Sequence, residues 1–420
     1  MNPVLLAFEH ETIEVSATPG PRSLSVEECE RLLAIGERFP GFCTRGHNRV
    51  RLSQYCGVVS LGNRILEVAP KIGKGKLGEQ AGRSLLLRML QTVHELPRLA
   101  ASAGQELERA PLIDAFASIF FDDVFRLVKS GLHRAYASES KILHTIKGRL
   151  LISQHVARNA GRIDRAYCEF DELTVDVGPN RVLVLALRAM RPWLTQTASQ
   201  RRLAELMATF EGVGCASRDE AKGIRLTRQN SRYREVLRFA QWIIDMLSPA
   251  LRGGVEVAPA MLFDMNVLFE SYVAACLASQ APSGIEVLPQ HNAMHLARAS
   301  GKGVYRLKPD IVVTRGREVL LVADTKWKML EADVFGRIRP TAADMYQMNA
   351  YASAYRCKEM ALIYPNFPGL ATQLLKHPTS YVLPADTGAG SLHVAAVELF
   401  GDRLSIGAGS VGPTLHQLLR

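Results

Sequence analysis

Residues 306–327 read RLKPDIVVTRGREVLLVADTKW. Two apolar runs, at 311–313 and 319–322, flank a polar turn that contains glycine, and this pattern predicts two buried β-strands joined as a hairpin. A carboxylate stands at the same end of each strand, with Asp310 before the first and Asp324 near the end of the second. Folding of the hairpin about Gly316 brings Asp310 within about one residue pair of Asp324, a diagonal of roughly 7–8 Å between their backbones.

The charged residues at this end of the hairpin predict a site for a divalent cation. An unpaired charge at the end of a buried strand is costly, so it needs a reason to be there. Converging carboxylates of Asp310 and Asp324 supply the oxygen ligands that a hard cation prefers. Lys326 lies two residues after Asp324 and so on the same face of the strand, where it can orient or help deprotonate a water and offset the charge of a phosphate.

A purely structural interpretation of the same residues stays open. Asp310 can cap a turn after Pro309, and Asp324 can form a solvated ion pair with Lys326 at the end of a strand. Short patterns of this kind recur by chance, so the flanking elements have to decide between the two interpretations.

Predicted helices on both sides of the hairpin carry further polar residues. Glu270, before the hairpin, can point into the same cleft as another ligand or a supporting acid, or can be a surface glutamate. Asp344, Gln347 and Tyr351, after it, follow at spacings of three and four and share one helical face. A glutamine and a tyrosine so placed can hydrogen-bond a phosphate backbone or hold the lysine and a water, although a helical tyrosine is more often part of the core.

This order of elements resembles the core of PD-(D/E)xK nucleases, in which an acidic helix precedes P-D on one strand, D-x-K on the next and Q-x-x-x-Y on a later helix. Five positions match that pattern: Asp310, Asp324, Lys326, Gln347 and Tyr351. More narrowly, the chain resembles the McrC family, the nuclease subunits of McrBC modification-dependent restriction systems. The motifs that carry this resemblance are NVLFESYV (266–273), LKPD (307–310), ADTKWK (323–328) and DMYQMNAY (344–351), with EVAPKI (67–72), KGRL (147–150) and DVGPNR (176–181) upstream.

The resemblance implies a Mg²⁺-dependent endodeoxyribonuclease that cuts double-stranded DNA. Its expected partner is an AAA+ GTPase ring of the McrB type, which binds GTP, recognises methylated DNA (5-methylcytosine) and translocates on it. In the site that the resemblance implies, Asp310 and Asp324 bind Mg²⁺ together with the carbonyl of Thr325, while Lys326 positions the attacking water. Three further residues support this site: Glu270, Gln347 and Tyr351.

The chain as a whole is predicted to be an α+β multidomain protein, since 420 residues exceed what one compact domain usually needs. Residues 1–100 are expected to be a β-rich region that docks the partner, residues 101–250 a mainly helical adaptor region, and residues 251–420 a C-terminal α/β domain with a mixed sheet of the restriction-endonuclease type. The best boundary lies at Pro249 and the glycine pair at 253–254, which interrupt the regular pattern.

Periodicity predicts the individual elements of these regions. Strands are expected at 49–52, 55–59, 64–68, 284–289, 304–327, 359–364 and 391–399, with an extended stretch at 145–178. Helices are expected at 26–39, from 79 onward, and at 111–132, 180–210, 229–247, 260–279 and 341–356.

Composition excludes several classes of protein. Hydrophobic residues make up 47% and charged residues 22% of the chain, which rules out a disordered or fibrous protein. Lysine and arginine exceed the acids by 51 to 41, and this net charge of +10 suits a polyanionic partner such as nucleic acid. The seven cysteines show no C-x-x-C spacing, the N-terminus lacks the pattern of a signal peptide, and no apolar run approaches the ~20 residues of a membrane span. We therefore expect a cytoplasmic protein with no membrane contact.

Nucleotide and zinc motifs do not support a cofactor other than a divalent cation. No G-x-x-x-x-G-K-[ST] occurs, so GTP hydrolysis has to come from another chain. A G-x-G-x-x-G match at 73–78 lacks the βαβ context of a dinucleotide site, and no H-E-x-x-H is present. Two rival functions remain: a non-catalytic adaptor that activates the AAA+ partner, and a stand-alone DNA repair nuclease.

Overall fold

A computed structural model gives the fold. The residues that it describes are 3–73, 78–96, 110–159, 161–162, 164–247, 250–252, 255–257, 259–328, 339–367, 379–383, 390–400 and 403–419. The chain divides into two compact units, which we call the middle unit (Ile113–Pro259) and the terminal unit (Val4–Leu112 with Ala260–Arg420).

The helices and strands follow one another along the chain in three stretches. The first holds β1 (Val4–Phe8), β2 (Thr12–Glu14), α1 (Val26–Arg38), β3 (Cys43–Gly46), β4 (Arg49–Leu52), β5 (Tyr55–Ser60), β6 (Ile65–Ala69) and α2 (Gly78–Val93). The second holds α3 (Leu112–Lys129), β7 (Ala135–Leu143), β8 (Arg149–Leu150), α4 (Ile152–Asn159), β9 (Ala166–Thr174), α5 (Gly178–Met190), α6 (Thr197–Thr209), α7 (Arg218–Gly223), α8 (Arg234–Leu247), β10 (Ala250–Arg252) and β11 (Val255–Val257). The third holds β12 (Ala260–Asp264), α9 (Met265–Gln280), β13 (Glu286–Pro289), β14 (His295–Ala299), β15 (Lys302–Arg306), β16 (Ile311–Arg315), β17 (Glu318–Thr325), α10 (Ala342–Tyr355), β18 (Glu359–Pro365), β19 (Ser380–Leu383), β20 (Gly390–Glu398), β21 (Ser405–Gly409) and α11 (Pro413–Leu418).

The predicted hairpin of residues 306–327 is confirmed as β16 and β17, which lie inside a seven-stranded sheet of order β13-β16-β17-β18-β20-β19, with β21 also paired to β20. β16 is antiparallel to β13 and β17, whereas β17, β18 and β20 are parallel, so the sheet is mixed as predicted. The turn is made by Gly316, whose φ of 60° lies in the left-handed region that glycine tolerates. Ile311 pairs with Ala323, and this register carries Asp310 to a position opposite Asp324.

Helix α10 covers the sheet beside the ends of β16 and β17. Its inward face is apolar, and Met348 and Tyr351 pack with Val312, Val322 and Tyr364 in one buried cluster. A capping box starts the helix, with the hydroxyl of Thr341 accepting from the backbone N–H three residues on. Burial of this face fixes the direction in which the polar residues of α10 point.

A second sheet of the terminal unit joins strands from the two ends of the chain. Its order is β1-β6-β5-β12, and β12 pairs with β5 so that Ala260 lies beside Val59. The predicted regions 1–100 and 251–420 therefore share one sheet, and the structure groups them into a single unit instead of two successive domains. The predicted boundary at 249 and 253–254 lies outside the described residues.

Three local predictions from the sequence are wrong. The helix expected at 260–279 begins only at Met265, because the apolar residues before it form the buried strand β12; periodicity cannot separate a short buried strand from a helix. The extended stretch at 145–178 contains the helix α4. The helix expected at 180–210 is two helices, α5 and α6, separated by a 3-10 turn at Arg191–Trp193 that contains a proline.

The middle unit combines helices with a small sheet. Aromatic side chains of α3 and α8, among them Phe120 and Phe239 at 5.3 Å between ring centroids, form part of its core. The strands pair in the order β7-β9-β8, and Cys168 and Phe170 are buried on one face of this sheet. Across the described ranges of both units, no helix is long and apolar enough to cross a membrane.

Candidate active site

The predicted site residues line one open cleft of about 280 Å³ at the carboxyl end of β17. The cleft is lined by Asn266, Glu270, Asp310, Asp324, Thr325, Lys326, Trp327, Lys328 and Gln347. Tyr351 lies behind Gln347 and is buried. The structure therefore brings together all of the residues that the sequence assigned to the site.

Asp310 forms its hydrogen bonds across the hairpin. Its Oδ2 accepts from the backbone N–H of Thr325 at 2.6 Å and from the hydroxyl of the same residue at 2.8 Å. Burial raises the pKa of Asp310, and the two bonds from Thr325 oppose this increase. Within the described part of the chain Oδ1 accepts no hydrogen bond, so one oxygen of this carboxylate is available to the cleft.

Asp324 is buried and contacts Lys326 directly. Its Oδ2 lies 2.5 Å from the ammonium Nζ of Lys326, and its side chain is only 2% exposed. Burial and the neighbouring charge of Asp310 raise the pKa of Asp324 to about 6, despite the attraction of the lysine. Asp324 is therefore too buried to form the solvated ion pair that the purely structural interpretation of the sequence requires. Burial of such a pair carries a desolvation penalty, which a solvated pair at a strand end would not have.

Gln347 connects the two charged groups of this pair to the helix behind them. Its side-chain oxygen accepts from Lys326 Nζ at 3.2 Å, while its Nε2 donates to Asp324 Oδ1 and to Tyr351 Oη, each at 2.9 Å. The hydroxyl of Tyr351 in turn donates to the backbone carbonyl of Lys308 at 3.0 Å, and burial raises its pKa to about 12. This chain of bonds holds the lysine and the carboxylate in one arrangement.

Asp344 bonds to Lys328 and Thr341, although its helical spacing places it on the same face as Gln347 and Tyr351. It completes the capping box of α10, and its Oδ2 accepts from Lys328 Nζ at 2.8 Å. Burial alone would raise the pKa of Asp344, but the bonds from Lys328 and Thr341 outweigh it and hold this pKa below its usual value. The nearest approach to Lys326 Nζ is 3.9 Å, from Oδ1.

Glu270 faces the cleft from the helix that precedes the hairpin. Helix α9 begins at the N-cap Asp264, whose Oδ1 accepts from the N–H of Asn266 at 2.8 Å, and this start places Glu270 beside the strand ends. Burial and the charge of Asp310 raise the pKa of Glu270 to about 7, and a hydrogen bond with the side chain of Gln290 opposes the increase. A fully exposed glutamate would not have its pKa raised by burial in this way. The alternative that Glu270 is a surface glutamate therefore does not fit the structure.

The oxygen atoms at this end of the hairpin can accept a divalent cation. In the described ranges no group of three or more His, Cys, Asp or Glu side chains is arranged to hold a metal ion. Asp310 and Asp324 do supply two largely buried carboxylates: burial raises the pKa of both, and the charge of Asp310 raises that of Asp324 further. A hard cation that shares these two carboxylates, and completes its shell with carbonyl and water oxygens, relieves the repulsion between them. The residues present fit such an ion as a two-carboxylate site.

Two residues that contact Trp327, Glu9 and Lys71, were not predicted from the sequence. The indole Nε1 donates to the buried carboxylate of Glu9, and the backbone carbonyl of Trp327 accepts from Lys71 Nζ at 2.9 Å. Lys71 belongs to the upstream motif EVAPKI, but neither its spacing nor that of Glu9 indicates a contact with residue 327. Only the tertiary fold brings these residues to the site.

Fold and site together define a mixed α/β protein whose central sheet presents two carboxylates and a lysine at one edge. A family model described as McrBC 5-methylcytosine restriction system component matches residues 50–365. This chain belongs to that family, which confirms the resemblance found in its motifs.

Solved structures agree with this assignment at the level of the fold. The chain is similar to one in the refined half-complex from a tetradecameric assembly of Thermococcus gammatolerans McrB AAA+ hexamers with bound McrC, with a TM-score of 0.73, 19% identity and coverage of 99% of this chain and 98% of that one. It is also similar to a chain of the cryo-EM structure of the Thermococcus gammatolerans McrBC complex, with a TM-score of 0.51, 20% identity and coverage of 66% and 88%. Comparison with curated proteins gives no match.

Proposed function

We propose that this chain is the Mg²⁺-dependent endodeoxyribonuclease subunit of a two-component, modification-dependent restriction system, built on a PD-(D/E)xK nuclease core. The observation that carries the proposal is the meeting of Asp310, Asp324 and Lys326 in one open polar cleft, with Lys326 Nζ 2.5 Å from Asp324. Family membership supports the restriction system, and the net charge of +10 supports a DNA substrate.

The side chains of the cleft have distinct tasks in phosphodiester hydrolysis. Lys326, held by Asp324 and Gln347, donates a hydrogen bond to the attacking water and offsets the negative charge of the scissile phosphate. Glu270 faces the same cleft and is placed to exchange a proton with a water there. When bound by Asp310, Asp324 and the carbonyl of Thr325, Mg²⁺ supplies electrostatic stabilisation of the charge that develops on the phosphate.

We propose an AAA+ GTPase of the McrB type as the partner, since the solved structure with TM-score 0.73 is one of McrB AAA+ hexamers with bound McrC. GTP is bound by that partner, because this sequence has no P-loop. In the middle unit, apolar side chains are exposed on and around β7, α4 and β9, as expected of a surface for another protein. They are Tyr136, Ile142, Ile146, Ile152, Val156 and Leu173. We also propose that the protein is cytoplasmic. All seven cysteines are free thiols, and free thiols persist in a reducing compartment.

The proposal is tested by cleavage of 5-methylcytosine-containing DNA in the presence of the partner, GTP and Mg²⁺. Asp310→Ala and Lys326→Ala are expected to abolish cleavage and to leave stimulation of the partner's GTPase intact, since neither residue belongs to the middle unit. Matched controls are Glu318→Ala and Lys358→Ala, which remove an exposed acid and an exposed lysine at the end of the seven-stranded sheet away from the cleft. Cleavage by either site variant would overturn the assignment.

The same assay separates the two rival functions. A non-catalytic adaptor gives GTPase stimulation and no Mg²⁺-dependent nicking by the unmodified protein. A stand-alone repair nuclease gives cleavage without any partner. The carboxylate pair favours the nuclease over the adaptor, because a protein that only clamps DNA gains nothing from two buried acids that repel each other.

A further inference from the structure

A strongly basic β-hairpin extends from the candidate site. We call residues 291–308, which include β14 and β15, the basic ribbon. It contains four cations, at Arg298, Lys302, Arg306 and Lys308, and no aspartate or glutamate. All four are exposed, and among the described residues none of them forms an ion pair. Cations left without counter-charges create a local positive potential that attracts a polyanion.

Contacts at its base fix the ribbon beside the cleft. The N–H of Gln290 donates to the backbone carbonyl of Asp310 at 2.8 Å, where the ribbon begins. At its other end, the carbonyl of Lys308 accepts from Tyr351, which also bonds to Gln347 in the site. His291 contacts the hydroxyl of Tyr355 on α10 through its Nδ1 at 3.0 Å. The ribbon is thus attached to the same helix and the same aspartate that build the candidate site.

The two strands of the ribbon bury little of their side chains, and of its described residues only Leu307, after β15, packs against the core. Leu296 is 57% and Tyr305 76% exposed, although they stand at facing positions on the two strands. Tyr305 also has a φ of 56°, a strained value for a large side chain, and the ladder between β14 and β15 is interrupted at this pair. An isolated two-stranded hairpin is only marginally stable in water, so the ribbon gains stability when it binds another molecule. Exposed apolar and cationic side chains on one surface also indicate a site for an external partner.

We infer that the basic ribbon binds the sugar-phosphate backbone of double-stranded DNA next to the bond that the cleft cuts. The inference rests on the proposed function and adds to it the part of the protein that holds the substrate. Five residues of extended chain span ~17 Å, about the length of five base pairs. Arg298, Lys302 and Arg306 lie along this length and supply phosphate contacts, while Tyr305 supplies a flat apolar surface to a sugar or base edge.

Equilibrium binding of the full-length chain to a labelled duplex tests the inference without requiring cleavage. Fluorescence anisotropy is measured with EDTA present over a series from about 50 to about 200 mM salt. The ribbon variant is Arg298→Gln/Lys302→Gln/Arg306→Gln. Its affinity is expected to fall at least about tenfold at the lowest salt, and the slope of log affinity against log salt to fall by about 2 to 3, since each phosphate contact contributes ~0.9.

A matched control removes three exposed cations from the seven-stranded sheet, at its end away from the cleft. This variant is Arg315→Gln/Arg317→Gln/Lys358→Gln, whose positions flank the turn of β16 and β17 or precede β18. It loses the same formal charge as the ribbon variant, and its salt slope is expected to stay within about one of the wild type. All six substituted side chains are exposed, so both variants are expected to melt at the temperature of the unmodified protein.

Three results would overturn the inference: equal slopes for the two variants, no binding by the unmodified chain at low salt, or loss of partner binding with DNA binding unchanged. The last outcome would assign the ribbon to a protein surface. Failure of the proposed function gives a different pattern, because cleavage by Asp310→Ala leaves metal-free binding through the ribbon unaffected. In cleavage assays the ribbon variant is expected to raise the KM for DNA and to keep kcat.

Discussion

The buried carboxylate of Glu9 accepts a hydrogen bond from the indole of Trp327, with Nε1 at 2.9 Å from Oε1 and 3.1 Å from Oε2. Glu9 directly follows the first strand of the chain, and Trp327 directly follows Lys326. The backbone N–H of Lys71 donates to the same carboxylate at 2.8 Å, and its ammonium bonds to the carbonyl of Trp327. The N-terminal strands therefore hold the segment that presents the candidate catalytic lysine.

Removal of this carboxylate is expected to weaken both the fold and the site. Glu9→Ala leaves the N–H groups of Trp327 and Lys71 without their acceptor, at ~1–3 kcal/mol for each buried donor. We expect the free energy of unfolding in urea to fall by about 2–4 kcal/mol. Cleavage is expected to fall as well, because Lys326 loses the support of the residue that follows it.

Glu9→Gln is the control for this experiment. It retains an acceptor oxygen and removes a buried charge, since desolvation already raises the pKa of Glu9. Its stability is expected to stay within about 1 kcal/mol of the unmodified protein. Unchanged stability of Glu9→Ala in the same titration would show that the contact with Trp327 does not support the segment.

Loss of the Gln347 side chain is expected to reduce DNA cleavage more than loss of the Tyr351 hydroxyl. Gln347→Ala removes bonds to both Lys326 and Asp324, and residues that orient a site in this way typically contribute 10–100-fold to activity. Tyr351→Phe removes two neutral bonds, one from Gln347 and one to the carbonyl of Lys308, at ~1 kcal/mol of stability each. It leaves Gln347 in contact with both charged groups, so its cleavage rate is expected to fall less than that of Gln347→Ala. The cleavage rates of the two purified variants at saturating DNA measure this difference, and equal losses would contradict it.

Local pattern was sufficient to predict the hairpin and its carboxylates. The apolar runs of β16 and β17, with the glycine turn between them, determine the pairing register, and the register sets Asp310 opposite Asp324. Likewise, helical spacing places Gln347 and Tyr351 on one face, and the structure has them bonded to each other. These features depend on residues close in the chain, where periodicity and turn chemistry act.

Features that depend on distant residues could not be predicted in this way. The pairing of β12 with β5 joins segments about 200 residues apart, and the burial of Glu9 beside Trp327 joins segments farther apart still. Strand β12 is buried on both faces, so its residues do not alternate between apolar and polar. Its sequence therefore cannot be distinguished from the start of helix α9. Tertiary packing decides these points, and one sequence does not record which segments meet.

Stability of the middle unit is expected to depend on pH through Asp123 on α3. Burial raises the pKa of this carboxyl to about 6, and the exposed Arg126 only partly opposes the increase. The folded state therefore holds the proton more tightly than the unfolded state, whose ordinary value is 3.8. Its contribution is fully present below pH ~4 and is lost as the pH rises through ~6.

Asp123→Asn is expected to remove this dependence and to stabilise the protein by about 1–2 kcal/mol at pH 7. Unfolding curves at a series of pH values from about 4 to about 7 give the comparison, with the exposed Asp171→Asn as the control. Parallel pH profiles for Asp123→Asn and the unmodified protein would contradict the assignment of a raised pKa to this group.

Binding of Mg²⁺ is expected to stabilise the folded protein, and this effect is measurable without DNA or a partner. A cation that binds only the folded state stabilises it by ~2.7 kcal/mol at about 100 times its Kd. The melting temperature of the unmodified protein should therefore rise with MgCl₂ and not with NaCl of equal ionic strength. Asp310→Asn and Asp324→Asn should melt at temperatures that MgCl₂ no longer changes, because each removes one of the two carboxylates, whereas Asp171→Asn should keep the full increase. An equal increase in Asp310→Asn and the unmodified protein would place the ion elsewhere and remove the physical reason for burying the two acids together.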